Sequence, residues 1–319
     1  MNKKVDISKI ILFCLVGILS IVVIFLASRI YLIEKTYNQN NNSDDYYQQL
    51  ETCVDSIKKQ TDFTPEILIT LGTGLDGLSN KIDVVKSISY KDINGFPQTT
   101  VNGHEGTLIF GYLCGAKVVC MKGRIHLYED LDLWGVLVPI RVCNMLGANK
   151  VILTNACGAI NESYNVGDFA VANDAITQFI TSSLAGPNID QFGERFTSLN
   201  DLYDKEFIKA SHRVADKHGI TLHDSVYVQT LGPTYETPAD IKMFKKLGAD
   251  TVGMSSLCEA IGAKHANMRV ININCISNMG AGLVDNPPTG KEVNEETAKV
   301  SNKFQDLICG IVTEINERG

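Results

Sequence analysis

The sequence predicts an α/β protein: one domain, preceded by a transmembrane helix. From about residue 51 onward, short β-rich apolar runs alternate with helix-like segments. Apolar residues make up 45% and charged residues 20% of the 319, which is enough to bury a sizeable core. Near the N-terminus, residues 10–28 (IILFCLVGILSIVVIFLAS) run 19 positions without a charge.

As a helix that stretch spans roughly 28 Å, close to the thickness of a bilayer core. A cleaved signal peptide is the main rival reading, and a buried helix of a soluble protein the third. A signal peptide calls for an apolar core of about 7 to 15 residues and a small-residue cleavage site, at which only Ala27-Ser28 hints. Lys3, Lys4 and Lys9 precede the span against Arg29 and Lys35 after it, a balance that favours a cytoplasmic N-terminus on a single-pass membrane protein. Residues 36–50 (TYNQNNNSDDYYQQL) are polar and Asn/Gln-rich and read as a solvated tether. The expected organisation is therefore an anchor over 1–35, a tether over 36–50 and one domain over 51–319.

Within the domain, strands are expected at Ile67–Leu71, Lys117–Met121, Lys150–Thr154, Phe169–Ala172, Ser225–Thr230, Thr251–Gly253 and Arg269–Asn274. The run Leu131–Leu146 lays Leu133, Val136, Leu137, Ile140, Cys143 and Leu146 along one helical side, with a bend at Pro139 and a stop at Gly147. Asp240–Leu247 and Asn294–Asn316 read as further helices. No internal repeat or second linker divides the domain.

The charge balance narrows the function. With 29 basic and 36 acidic side chains the net charge is -7, and residues 36–319 keep 24 against 34, or -10. No long Lys/Arg run exists, so nucleic acid is excluded as a partner, and any anion site must be built locally. Eight cysteines follow Cys14 with no CxxC pair among them, which argues against zinc and redox sites; an even number in an exported body could form disulfides, but several sit in apolar runs, which favours free buried thiols. Free thiols suit a reducing compartment and so pull against the orientation read from the charges.

Two constellations carry chemistry. Gly72-Thr73-Gly74-Leu75-Asp76-Gly77 fits G-x-G-x-x-G directly after the strand ILITL. It reads as a phosphate cradle to which Thr73 adds a hydroxyl, as a structural turn, or as the dinucleotide loop of an NAD-dependent dehydrogenase. The last lacks its companion acid, because Asp92 lies in the turn-like YKDINGF rather than at a strand end. The second constellation is Gly123–Glu129 (GRIHLYE). Extended, it sends Arg124, His126 and Tyr128 to one side, as a planar oxyanion fork, a donor near neutral pH and a flat hydroxylated face. A solvated edge strand is the alternative.

In chain order, GTGLDGL at 72–78, GHEG at 103–106, GRIHLYE at 123–129, TNACGAIN at 154–161, VGD at 166–168, GPTYET at 232–237, VGMS at 252–255 and ISN at 276–278 make residues 65–316 resemble the trimeric purine nucleoside phosphorylase family, which includes the methylthioadenosine phosphorylases. The resemblance implies a single α/β domain around a mixed, partly barrel-like sheet flanked by helices, assembled as a homotrimer with sites near subunit boundaries. It implies phosphorolysis of a purine nucleoside to free base and (deoxy)ribose 1-phosphate, with inorganic phosphate as co-substrate and no cofactor or metal. Carried over motif by motif, phosphate falls among Thr73, His104, Arg124, His126, Ala156 and Ser255. Tyr128 and Met254 line the sugar, Tyr235 packs on the purine, and Glu236 and Asn278 hold the base. Asn278, Glu236 and His126 are the implied catalytic residues.

The reaction suits these residue types. Bond cleavage leaves positive charge on the sugar and negative charge on the base, so an anion below the anomeric carbon and donors around the purine stabilise both. Asn278 rather than Asp leans toward inosine and guanosine. Glu236 also fits a plain helix start in TYETP. The sequence departs from the family pattern at Val293-Asn294-Glu295-Glu296, where a histidine often meets the sugar 5′-hydroxyl; Asn294 is the residue left to do so. Phe179 is a candidate for the aromatic that some members reach across from a neighbouring subunit. His212, His218, His223 and His265 lie outside the motifs and read as structural or surface residues. A tethered nucleoside-binding protein without turnover remains the competing non-enzymatic reading.

Overall fold

In the computed structural model, residues 27, 43–101, 105–129, 133–286 and 288–317 are described. The chain divides into residues 1–46 and a compact unit over 47–319. Nine strands form one sheet among the described residues: β1 Ile67–Thr70, β2 Asp83–Ser89, β3 Thr107–Leu113, β4 Ala116–Lys122, β5 Lys150–Ala159, β6 Phe169–Ile176, β7 Leu222–Gln229, β8 Thr251–Gly253 and β9 Arg269–Met279. Their order is β2-β3-β4-β1-β5-β8-β7-β6-β9, and β9 also pairs with β5. That last pairing closes β5, β8, β7, β6 and β9 into a ring, leaving β1 to β4 as an open wing. Parallel pairs (β1 with β4 and β5, β5 with β9, β6 with β7, β7 with β8) mix with antiparallel ones. The mixed, partly barrel-like sheet is thus present.

Among the described residues there are seven α-helices: α1 Ser43–Lys58, α2 Val138–Met145, α3 Lys205–His218, α4 Pro238–Lys246, α5 Leu257–His265, α6 Gly290–Lys299 and α7 Ser301–Glu317. One face of β1, β4, β5, β6 and β9 contributes Ile67, Ile69, Cys120, Ile152, Phe169, Val171, Ile271, Ile273 and Cys275 to a core closed by Phe207 and Val214 of α3 and Phe304, Leu307, Ile308 and Ile311 of α7. Gly310 lets the two helices touch, since a Cβ there would meet Val214 Cγ1 at 2.4 Å. On another side α5 is buried nearly all round.

Several expectations change. The transmembrane helix over 10–28, the single-pass membrane localisation and the bilayer as partner are not upheld. No helix among the described residues is long and apolar enough to cross a membrane, and of 10–28 only Ala27 is described. The most apolar helix, α5, has nine residues, about 14 Å of length. The longest, α7, carries Lys303, Asp306 and Glu314. Residues 43–50, expected as tether, begin α1, because Leu50, Cys53, Val54 and Ile57 fall at i, i+3, i+4 and i+7 and are buried. Pro139 does not bend a helix; it opens α2 in its first turn, after a 3-10 turn at Gly135–Leu137. The expected terminal helix is two, α6 and α7, parted at Val300. Strands β2 and β3 and helices α3 and α5 were not foreseen. The eight cysteines from Cys53 onward are unbridged, six of them buried; Cys14 lies outside the described residues.

Candidate active site

The glycine loop takes shape from backbone contact. Thr154 Oγ1 of β5 donates to Thr70 O at 2.9 Å and accepts from the Gly72 amide at 3.1 Å, drawing the end of β1 onto β5. A Cβ on Gly72 would lie 2.5 Å from Asn155 Cα, so only glycine fits this approach. Gly74, at φ 73°, sits against Thr297 of α6. The loop runs into a 3-10 turn, Asp76–Lys81, and then into β2, which pairs antiparallel with β3. No parallel crossover helix follows, so no helix N-terminus is offered to a pyrophosphate, and the dinucleotide reading has no structural basis.

After β4 the chain leaves the sheet. Gly123 turns at φ 119°, and the Glu129 amide donates to His126 O at 3.1 Å. Arg124, His126 and Tyr128 are therefore not an extended strand, yet all three face one cavity. Glu129 holds the turn. Its Oε1 accepts from the His126 amide at 2.9 Å and pairs with His126 Nδ1 at 2.8 Å. Its Oε2 accepts from Thr99 Oγ1 at 3.2 Å, from Thr100 Oγ1 at 2.8 Å and from the Thr100 amide. Burial pushes the carboxyl up, but the bonds from His126 and Thr100 outweigh it and bring its pKa down to about 2. An ionised Glu129 fixes which nitrogen of His126 carries the proton. The Tyr128 ring stacks on His126, with centroids 4.7 Å apart. Burial first, then the Glu129 charge, raise the Tyr128 hydroxyl to about 12 and keep it a donor.

Arg124, 1% exposed, is fixed along its fork. Nη1 donates to Thr154 O at 2.7 Å and to Ser255 Oγ at 3.3 Å, while Nε pairs with Glu259 at 2.8 Å. Ser255 follows β8, and its carbonyl accepts from the buried Tyr227 hydroxyl at 2.8 Å. Opposite, β9 pairs with β5 through a register shift that matches Ile276 to Cys157 and Asn278 to Gly158. Such a bulge re-aims side chains. Ser277 Oγ donates to Asn278 Oδ1 at 2.9 Å, and Asn278 Nδ2 donates to Met279 O at 3.0 Å. Glu236 accepts from Thr230 Oγ1 at 2.8 Å. Gly232 sits at φ 70°, a region that favours glycine, and a Cβ there would also crowd Met254 Sδ at 2.6 Å and Tyr128 Cδ1 at 2.9 Å.

These elements enclose a cavity of about 280 Å³, near the lower end of the roughly 300–1,000 Å³ typical of small-ligand sites. It brings together Thr73, Arg124, His126, Ala156 and Ser255 with Tyr128, Tyr235, Glu236, Met254, Asn278 and Asn294. His104 lies outside the described residues. Asn155, Cys157, Ser277 and Val293 also line the cavity without having been singled out; the first two stood unnoticed inside TNACGAIN and Ser277 inside ISN. Phe179 is elsewhere, edge-on to Phe244 at 4.8 Å. His212 and His223 bind Asp224 and Asp168, His265 bonds Asn188, and His218 is exposed, all apart from the cavity.

Comparison with known proteins agrees with this geometry. The Phosphorylase superfamily profile matches residues 66–313. The chain belongs to that family. It is 41% identical over 263 residues to purine nucleoside phosphorylase 1 of Geobacillus stearothermophilus, covering 82% of this chain and 96% of the relative. It is 35% identical to the Bos taurus purine nucleoside phosphorylase, covering 86% and 97%. Among solved structures, the Schistosoma mansoni purine nucleoside phosphorylase in complex with inosine matches with a TM-score of 0.80 at 36% identity, covering 83% of this chain and 96% of that one.

Proposed function

We propose that this protein is a purine nucleoside phosphorylase, a pentosyltransferase that cleaves the N-glycosidic bond of a purine (deoxy)nucleoside with inorganic phosphate, giving free base and (deoxy)ribose 1-phosphate. The observation that carries the reading is that Arg124 and Asn278 open onto one cavity, small enough for a single nucleoside to bridge them. Its support includes a schistosome relative solved with inosine and a similar purine nucleoside phosphorylase solved with ribose 1-phosphate.

Arg124, His126, Thr73, Ser255 and the Ala156 backbone hold phosphate below the sugar, with His104 as a sixth contributor. Tyr128 and Met254 flank the ribose, and Asn294 bonds its 5′-hydroxyl. Tyr235 covers the purine. Glu236, steadied by Thr230, accepts from N1–H of a 6-oxopurine, while Asn278 donates to N7, a bond that strengthens as the leaving base gains negative charge. This selects inosine and guanosine. Phosphate itself attacks the anomeric carbon, so positioning and electrostatics supply the rate and no covalent enzyme intermediate forms. The half-exposed Tyr235 fits a site completed near a subunit boundary in a homotrimer.

Release of hypoxanthine from inosine, measured with and without phosphate, tests the reading. Turnover should require phosphate, and Arg124→Ala should lower it by about 100-fold, the usual cost of removing a transition-state donor. Phosphate-independent turnover, or an unaltered Arg124→Ala enzyme, would refute it.

A further inference from the structure

We propose that Glu259 is a positioning residue that shapes the phosphate side of the site by holding two of its walls at once; the proposal rests on the phosphorylase reading. Glu259 lies in the first turn of α5, its side chain 3% exposed. A single oxygen, Oε2, takes Arg124 Nε at 2.8 Å and the Ser256 amide at 3.0 Å. The first contact orients the guanidinium. Arg124 Nη1 is then directed at Thr154 O and Ser255 Oγ. The second contact secures the peptide that joins Ser255 to Ser256.

That peptide needs securing. Ser256 sits at φ 75°, a region that L-residues seldom adopt and that persists only where surroundings enforce it. Glu259 is one restraint. The Ser256 hydroxyl donating to Asn155 Oδ1 at 3.1 Å is a second, and Tyr227 bonding the Ser255 carbonyl at 2.8 Å is a third. The turn faces Ser255 into the cavity while Ser256 stays fully buried. Glu259 does not line the cavity itself. It acts through Arg124 and Ser255, and so on phosphate rather than on the purine.

Steady-state phosphorolysis of inosine, with phosphate and inosine varied separately, tests this in Glu259→Ala, Glu259→Gln and Glu259→Asp. Alanine should raise the phosphate KM by about tenfold or more, equivalent to about 1.4 kcal/mol, with the inosine KM within about twofold of wild type. Glutamine should fall between wild type and alanine for phosphate, because its amide oxygen can still accept from the Ser256 amide while the charge that pairs with Arg124 is lost. Aspartate, one methylene short of reaching both donors, should fall with alanine. If alanine does not yield folded protein, the contrast between glutamine and aspartate decides. Equal shifts in both KM values, an unchanged alanine enzyme, or aspartate matching glutamine would overturn the proposal. A wild-type enzyme that turns over without phosphate would instead remove the functional reading beneath it.

Discussion

Replacing Glu129 by glutamine should flatten the acid limb of the stability curve. The carboxylate accepts from His126 twice, from Thr100 twice and from Thr99, and its pKa falls from 4.5 to about 2 despite the opposing effect of burial. A group whose pKa is depressed on folding contributes stability above its unfolded value and loses it as pH falls through the folded one. The window here is therefore about pH 4.5 down to 2. At about 1.4 kcal/mol per unit, a shift of this size corresponds to about 3 kcal/mol at neutral pH, an upper figure because solvent around the exposed Thr100, one of the carboxylate's partners, screens part of it. More than half should be gone by pH 3. Urea unfolding at pH 6 and at pH 3 measures it: wild type should lose about 1–2 kcal/mol more between the two than Glu129→Gln does. Parallel losses in the two proteins would show that the bonds around Glu129 are not what depresses it.

Gly72→Ala should destabilise by about 1–3 kcal/mol, the usual cost of overpacking, because its Cβ would sit 2.5 Å from Asn155 Cα and 2.8 Å from Thr154 O; the midpoint of denaturant unfolding reports it. Phe304→Ala should cost about 3–5 kcal/mol, since the ring is fully buried and packs 6.3 Å from Phe169, and should leave the ratio of the inosine and phosphate KM values unaltered. Asn278→Asp should move the kcat/KM ratio from inosine toward adenosine, because a carboxylate beside N7 can accept from a neighbouring 6-amino group and is repelled by a 6-oxo group; an unmoved ratio would place the selection elsewhere.

Much of the site was legible because its residues come in short runs. Arg124, His126 and Tyr128 stand in one heptapeptide, and Tyr235 and Glu236 are adjacent, so one motif announces several walls. What the runs do not announce is shape. Alternation suggested an extended GRIHLYE, but the Glu129 carboxylate folds it into a turn, and a side chain bonding its own backbone leaves no trace in hydrophobic period. Strand β2 (DVVKSIS) is mostly exposed, so it lacks the apolar run by which strands are read. The β3–β4 hairpin turns at Cys114-Gly115, both at positive φ, without the usual Asn-Gly or Asp-Gly signal. Glu259 gave no sign beyond an acid three residues after a serine.

Taken alone, then, the sequence determined the α/β class, the family to which the chain belongs and most of the side chains that face the cavity, because these depend on local composition and on motifs whose spacing is covalent. Only the tertiary structure decided that β9 closes onto β5, that a shifted register aims Asn278 across from Arg124, and that Glu259 reaches back to both Arg124 and Ser256. All but the short reach from Glu259 to Ser256 join residues more than 100 positions apart or turn on a single residue of register. Contacts of that kind are set by the packing of the whole sheet, not by anything written in one stretch of chain.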